Sequence, residues 1–155
     1  MIKNIDQLNL LIKEKIDGFG MNLSSRIHSL KSFPRSLDIK RDDELSFGIS
    51  GNKLRKIASL LPIWKKYESI LALGSSSSNH VVACLQVFNE HGIDYQLWLK
   101  ESHGSSSSLI RDFINLLSPK ERIVSIPNSD WPRVDFMADD YQKQHDDVYV
   151  MREGA

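Results

Sequence analysis

The sequence predicts an α/β fold in three layers, a mostly parallel sheet with helices on both faces. Three observations predict it. From Ser69 onward, apolar runs of strand length alternate with amphipathic segments of helix length. The strand candidates are continuously apolar, as strands buried on both faces are. The links between them are short, so right-handed crossovers would bring the loops that follow the strands to one edge, where such sheets bind ligands.

Taken in order, residues 1–20 place Ile5, Leu8, Leu11, Ile12 and Ile16 at helical spacing, which predicts a short amphipathic helix ending near Gly18 and Gly20. Residues 21–36, with Pro34, read as an irregular connection. Leu37 to Lys40 is the first short strand, followed by a turn at Gly48 and Gly51. A helix then opens at Lys53. Asn52 can cap it, and Leu54, Ile57, Leu61 and Trp64 share one face. Pro62 is expected to kink or restart that helix.

Ile70 to Leu73 is a buried strand stopped by Gly74, and Ser75 to Asn79 form a loop. A helix over Val81–Glu90 turns Val81, Cys84, Leu85 and Phe88 inward, and Gly92 is placed for a left-handed cap. Tyr95 to Leu99 is the next strand. A second serine loop, Ser105 to Ser108, precedes a helix expected to use Leu109, Ile110, Phe113, Leu116 and Leu117. Arg122 to Ile126 is a strand. Asp130-Trp131-Pro132 starts a helix with Val134, Met137, Ala138 and Tyr141 inward, and Val148 to Met151 is the last strand.

At 155 residues the chain can build one domain with a real core. Its zero net charge removes the global field that would draw in nucleic acid or an anionic membrane, so neither is an expected partner. Locally, residues 31–66 hold nine Lys/Arg against four Asp/Glu, and 135–153 hold six acids against two bases. The basic part suits an anionic ligand, although solvated helix faces explain the same count. The single cysteine, Cys84, lies in an apolar run and forms no internal disulfide. It reads as a core residue in a reducing compartment. No stretch resembles a signal peptide or approaches the ~20 apolar residues of a membrane span, so a cytoplasmic location is expected. The five histidines lack metal-ligand spacing, and no metal is expected.

Two stretches carry chemistry. Lys53 sits just past a glycine turn at the positive end of a helix, beside Arg55 and Lys56, and that field disfavours an ammonium. An amine so placed suits a Schiff-base nucleophile, while a lysine taken alone is more simply a solvated one. Gly74-Ser75-Ser76-Ser77-Ser78-Asn79-His80 sits where a strand ends and a helix begins. Its backbone N–H groups and hydroxyls suit an anion, or else Ser78 or Asn79 is only a helix cap.

Together, Lys40-Arg41-Asp42-Asp43, Gly51-Asn52-Lys53-Leu54-Arg55-Lys56 and Ser78-Asn79-His80 resemble the pyridoxal-phosphate enzymes of the D-cysteine desulfhydrase and 1-aminocyclopropane-1-carboxylate deaminase family. These are tryptophan synthase beta-like enzymes of fold type II. The resemblance is strongest from Leu37 to Leu99. It implies pyridoxal 5'-phosphate as cofactor, bound covalently to Lys53 with Asn52 beside it. It also implies that Asn79 faces the phenolic oxygen of the ring and that Ser78, with catalytic weight, receives the carboxylate of a small amino-acid substrate. His80 opens the helix on the substrate side. On this reading Lys53, Ser78 and Asn79 should converge on one cleft.

Ser75 and Ser77 depart from the family, which usually has a glycine and a glutamine there. Val148 to Ala155 resembles a later strand and its Pro-Glu-Gly-Gly turn, with Arg152 in place of the proline. No glycine-rich phosphate loop occurs. The resemblance therefore implies an N-terminal segment, 1–52, that belongs to a larger domain, and a small α/β domain, 53–155, with the larger domain absent. A chain of that kind is expected to be inactive alone and to associate with itself or with a missing domain. Two alternatives stand beside this: a non-catalytic α/β remnant, and an unrelated interaction domain that binds a phosphorylated ligand at its serine loops and gives Lys53 no role.

Overall fold

The computed structural model describes residues 25–31, 37–45, 53–101 and 109–153, with Gln7 and Leu10 as isolated helical positions. They fall into two compact units, residues 1–62 and 63–155. The expected apolar face of the first helix, the turn at Gly48 and Gly51, Asn52 and the serine loop at 105–108 lie outside the described residues.

In the first unit, β1 (Ile27–Leu30) pairs antiparallel with β2 (Leu37–Lys40), Ile27 opposite Lys40 and Leu30 opposite Leu37. The strand β1 corrects the reading of 21–36 as irregular. Ile-His-Ser-Leu lacks period-two alternation, and its strand character comes from its partner, including the Ser29 hydroxyl donating to Asp38 at 2.6 Å across the ladder. A tight turn at Asp42–Glu44 follows. From it the Asp42 carboxylate accepts hydrogen bonds from Arg55 Nε and Nη2, both at 2.8 Å, and from Ser25 Oγ at 2.6 Å. One side chain thus ties the hairpin's two flanks to α1 (Lys53–Trp64).

Leu54, Ile57, Leu61 and Trp64 are the buried face of α1, as their spacing predicts. Pro62 does not restart α1, which runs as one helix to Trp64. The proline lies in the last turn, so it removes one hydrogen bond where few remain to be made.

The second unit is a four-stranded sheet in the order β5-β4-β3-β6, every pair parallel: β3 (Ser69–Ser75), β4 (Asp94–Lys100), β5 (Ile123–Ile126) and β6 (Val148–Met151). Between them run α2 (Asn79–His91), α3 (Leu109–Leu117) and α4 (Val134–Gln144). The fold class predicted from the sequence is therefore the one observed. Leu71, Leu73, Trp98, Val148 and Val150 make one face and pack with Val134, Ala138, Met137 and Tyr141 of α4. Ile70, Ala72, Tyr95 and Leu97 alternate to the other face, where Phe88 of α2 lies against both Trp64 (5.2 Å between centroids) and Tyr95 (5.1 Å). Gly92 ends α2 in the left-handed conformation, φ 61°, as expected of a glycine cap.

One helix face differs from its sequence reading. Along α3 the buried residue is Ile114, with Ile110 and Leu117 partly covered, whereas Leu109 is 77% exposed, Leu116 78% and Phe113 38%. The segment Leu-Ile-Arg-Asp-Phe-Ile-Asn-Leu-Leu is apolar on two stripes, and the sheet covers only one of them.

Two predictions follow from these packings. A Cβ on Gly74 would stand 2.5 Å from Val81 Cγ2, a stiff, buried branch point that cannot swing away. Gly74→Ala should cost about 1–3 kcal/mol in urea unfolding, and an unchanged midpoint would show that strand and helix can separate there freely. The second concerns acid. Arg55, and after it the Ser25 hydroxyl, hold the Asp42 carboxyl well below the usual carboxylate range. A depressed folded value means that the pairing stabilises above the ordinary value of about 4 and is lost as pH falls from there through the folded value. Asp42→Asn should therefore cost about 1 kcal/mol near neutrality, after solvent screening, and almost nothing in strong acid. A cost that did not change with pH would assign the effect to packing.

Candidate active site

The strand order fixes where a ligand crevice can form. From β3 the chain steps outward to β4 and β5, then returns past both to lay β6 on the other side of β3. Ligands of parallel α/β sheets bind outside the carboxyl ends of the strands. The loop Ser75 to Ser78 leaves β3 at that edge, and α2 starts directly behind it.

Ser78 is the cap of α2. Its backbone is extended (φ −85°, ψ 120°), and its Oγ accepts from the His80 N–H at 3.2 Å. Of the two caps the sequence allowed, the structure uses Ser78. Accepting through oxygen leaves the hydroxyl hydrogen available to a ligand. Asn79, the first residue of the helix, has an exposed side chain. His80 is half-buried and turns inward, its Nε2 3.7 Å from Cys84 Sγ, which in turn lies 3.8 Å from Met151 Sδ at the end of β6. That chain of contacts links α2 to the end of β6, a connection that sequence spacing did not reveal for Met151. Cys84 is fully buried, as its apolar surroundings predict.

Before Ser78 the loop closes on itself. Ser75 and Ser77 hydroxyls lie 3.0 Å apart, and the Ser77 N–H donates to Ser75 Oγ at 3.1 Å. These are the two positions that depart from the family pattern, and here they stiffen the turn. Across the crevice, Arg152 follows β6 and pairs with Asp135, at 2.6 Å, and with Asp139, one turn apart on α4. The residue that replaces a proline in the resemblance therefore acts as a clasp between β6 and its covering helix.

Lys53 belongs to the first unit, where it is the first helical residue of α1 and half-buried. Its expected cationic neighbour Arg55 is engaged by Asp42, so the field at the start of α1 owes less to that guanidinium than the sequence suggests. Ser78, Asn79 and His80 share one turn of the second unit. Among the described residues no group of three His, Cys, Asp or Glu side chains is placed to hold a metal ion, and no helix is long and apolar enough to cross a membrane.

The class defined by this fold is the parallel α/β domain, and known proteins share it. No protein-family model matches the chain. In sequence it is 29% identical over 123 residues to a Thermotoga maritima protein provisionally named a 1-aminocyclopropane-1-carboxylate deaminase, a match covering 76% of this chain and 38% of the relative. In structure it is similar to an ACC deaminase homologue, with TM-score 0.64 and 20% identity over 91% of this chain and 46% of that one. A hydrogen sulfide-producing enzyme from Fusobacterium nucleatum follows at 0.57 and 11%, covering 89% of this chain and 42% of its own. An O-acetylserine dependent cystathionine beta-synthase from Helicobacter pylori gives 0.51 and 14%, over 88% and 45%. The chain thus spans less than half the length of each of these four proteins.

The cap predicts its own test. Ser78→Ala should lower stability by about 1 kcal/mol, and Ser78→Asp should restore most of it, because a carboxylate also caps a helix start. Equal thermal melts for all three proteins would mean that the His80 N–H finds another acceptor.

Proposed function

We propose that this chain supplies part of the active site of a pyridoxal-phosphate-dependent deaminase or desulfhydrase acting on a small amino acid, D-cysteine or 1-aminocyclopropane-1-carboxylate. The products would be an α-keto acid and ammonia, with sulfide also released from D-cysteine. The observation that carries this reading is the serine turn at the carboxyl end of β3. There Ser78 holds α2 with its oxygen and keeps a hydrogen to donate, while Asn79 stands exposed beside it. The sequence match to the Thermotoga maritima protein and the fold of the ACC deaminase homologue support it.

When bound, the cofactor supplies an electron sink for charge released at the substrate. The residue types suit that group: an amine at the start of α1 and, in the other unit, a hydroxyl with an amide side chain at the start of α2. Lys53 Nζ would provide the amine that holds the cofactor aldehyde, with Asn52 as its neighbour in the chain. Asn79 would hold the ring by its phenolic oxygen. Ser78 and the first N–H groups of α2 receive the substrate carboxylate, and the dipole of α2 favours the anion there. His80 holds the turn from beneath. These residues by themselves assign no cradle to a dianionic phosphate. A cytoplasmic, reducing setting suits the buried thiol of Cys84.

A non-catalytic α/β domain is the second reading, favoured by the bond between Ser75 and Ser77 that uses donors a ligand would need. Reduction with borohydride in the presence of pyridoxal phosphate separates the two. The first reading expects one labelled peptide containing Lys53, lost in Lys53→Ala, with keto-acid release from D-cysteine staying at background. A label spread over Lys65 and Lys66 and unchanged in that variant would overturn it.

A further inference from the structure

The outer side of α3 is apolar where a solvated helix face is ordinarily charged. Leu109 and Leu116 are strongly exposed and Phe113 partly so. Spaced four and three residues apart, they form one stripe about 10 Å long. An exposed apolar patch of this kind marks a contact surface more often than a lone exposed residue does. Phe136, the other strongly exposed aromatic of this unit, is such a lone residue, set on α4 among Asp135, Asp139 and Asp140. Charge flanks the α3 stripe at two places. Asp112 is exposed in the first turn of the helix, and Lys120 is exposed just beyond its end. Neither the Asp112 carboxylate nor the Lys120 ammonium has an ion pair among the described residues.

We propose that this stripe is a docking surface for a second copy of the chain, the two α3 helices lying antiparallel across a two-fold axis near Leu116. The charges select both the occupant and the direction. A two-fold axis crossing a helix sets the start of one copy against the end of the other, and every contact across it occurs twice. About Leu116, each Asp112 is brought toward the partner's Lys120, so two ion pairs flank the contact between the Leu116 side chains. Phe113 meets the partner's Pro119, which is also exposed. A parallel pair would set acid against acid and base against base, and the opposed dipoles of an antiparallel pair add to the same preference. Zero net charge leaves no long-range repulsion between copies. Three apolar side chains cover less than the ~800 Å² per partner of a standard interface, so the pair is weak and exchanging. The proposal does not rest on the cofactor reading.

Sedimentation equilibrium of the full 155-residue chain over a hundredfold range of concentration tests the proposal. The average mass should climb from one copy toward two, with half-association on the order of 100 µM. Leu116→Gln should weaken association at least about tenfold, whereas Phe136→Gln should leave it unchanged. Asp112→Lys and Lys120→Asp should each weaken it about tenfold by setting like charges together, and the chain carrying both changes should regain the original affinity. Thermal melts of the variants check that each is folded, as substitutions at exposed positions allow. Should Asp112→Lys fail to fold, Asp112→Asn and Lys120→Asp take its place, and each should weaken association several-fold. A chain that stays single at every concentration would overturn the proposal and leave the stripe to a different protein. Association untouched by Leu116→Gln, or a double charge variant no tighter than the single ones, would also overturn it.

Discussion

The missing side chain at Gly74 is the constraint on which the second unit depends. Gly74 lies on the α2 face of β3, and only a hydrogen there lets Val81 approach so closely. That approach seats α2 hard against the end of the strand, and every residue from Val81 to Phe88 is buried, including Gln86. It also shortens the link, so the whole turn from β3 to α2 consists of Ser76 to Ser78. The cap, the exposed amide of Asn79 and the inward ring of His80 follow from a helix that must begin at that point. Function and packing meet here because the same backbone approach that fills the core leaves the helix N-terminus open at the sheet edge.

Most of the second unit was legible because its strands are buried on both faces, which writes them into the sequence as unbroken apolar runs. Ile70 to Leu73 could be little else, and glycines at 74 and 92 mark both ends of the following loop–helix unit. The strand β1 was not legible, since its pattern is too short and its strand character belongs to the pairing with Leu37–Lys40. The inner face of α3 was misread for a different reason. Leu109, Phe113 and Leu116 fit helical spacing as well as Ile110, Ile114 and Leu117 do, and only the sheet's position decides between them. At the candidate site, the Ser-Asn-His triplet was readable from local chemistry. The link through Met151 was not, because it arises where distant elements come together.

Charge patterning is also clearer in three dimensions. The basic excess of residues 31–66 suggested a surface for anions, yet Arg41 and Arg55 pair with Asp43 and Asp42 in the turn after β2. In the acidic C-terminal stretch, Asp135 and Asp139 are held by Arg152. In each stretch, part of the charge is therefore structural. At the start of α2 the polarity is instead carried by neutral groups, the Ser78 hydroxyl and the Asn79 amide, beside the fixed dipole of the helix.

The strand order has a kinetic side. No two neighbours in this sheet are joined by a tight turn, so none of the ladders can zip up from a local hairpin, and such topologies mature slowly. The inner strand β3 waits longest, since one of its edges is closed only by β6, the last strand of the unit. During synthesis that edge, bordered by Ile70 and Leu71, stays open until residues 148–151 have left the ribosome. An open apolar edge is a template for pairing between chains. The interval between making β3 and docking β6 is thus the moment of greatest aggregation hazard in the life of this molecule, and one at which chaperone capture would matter most.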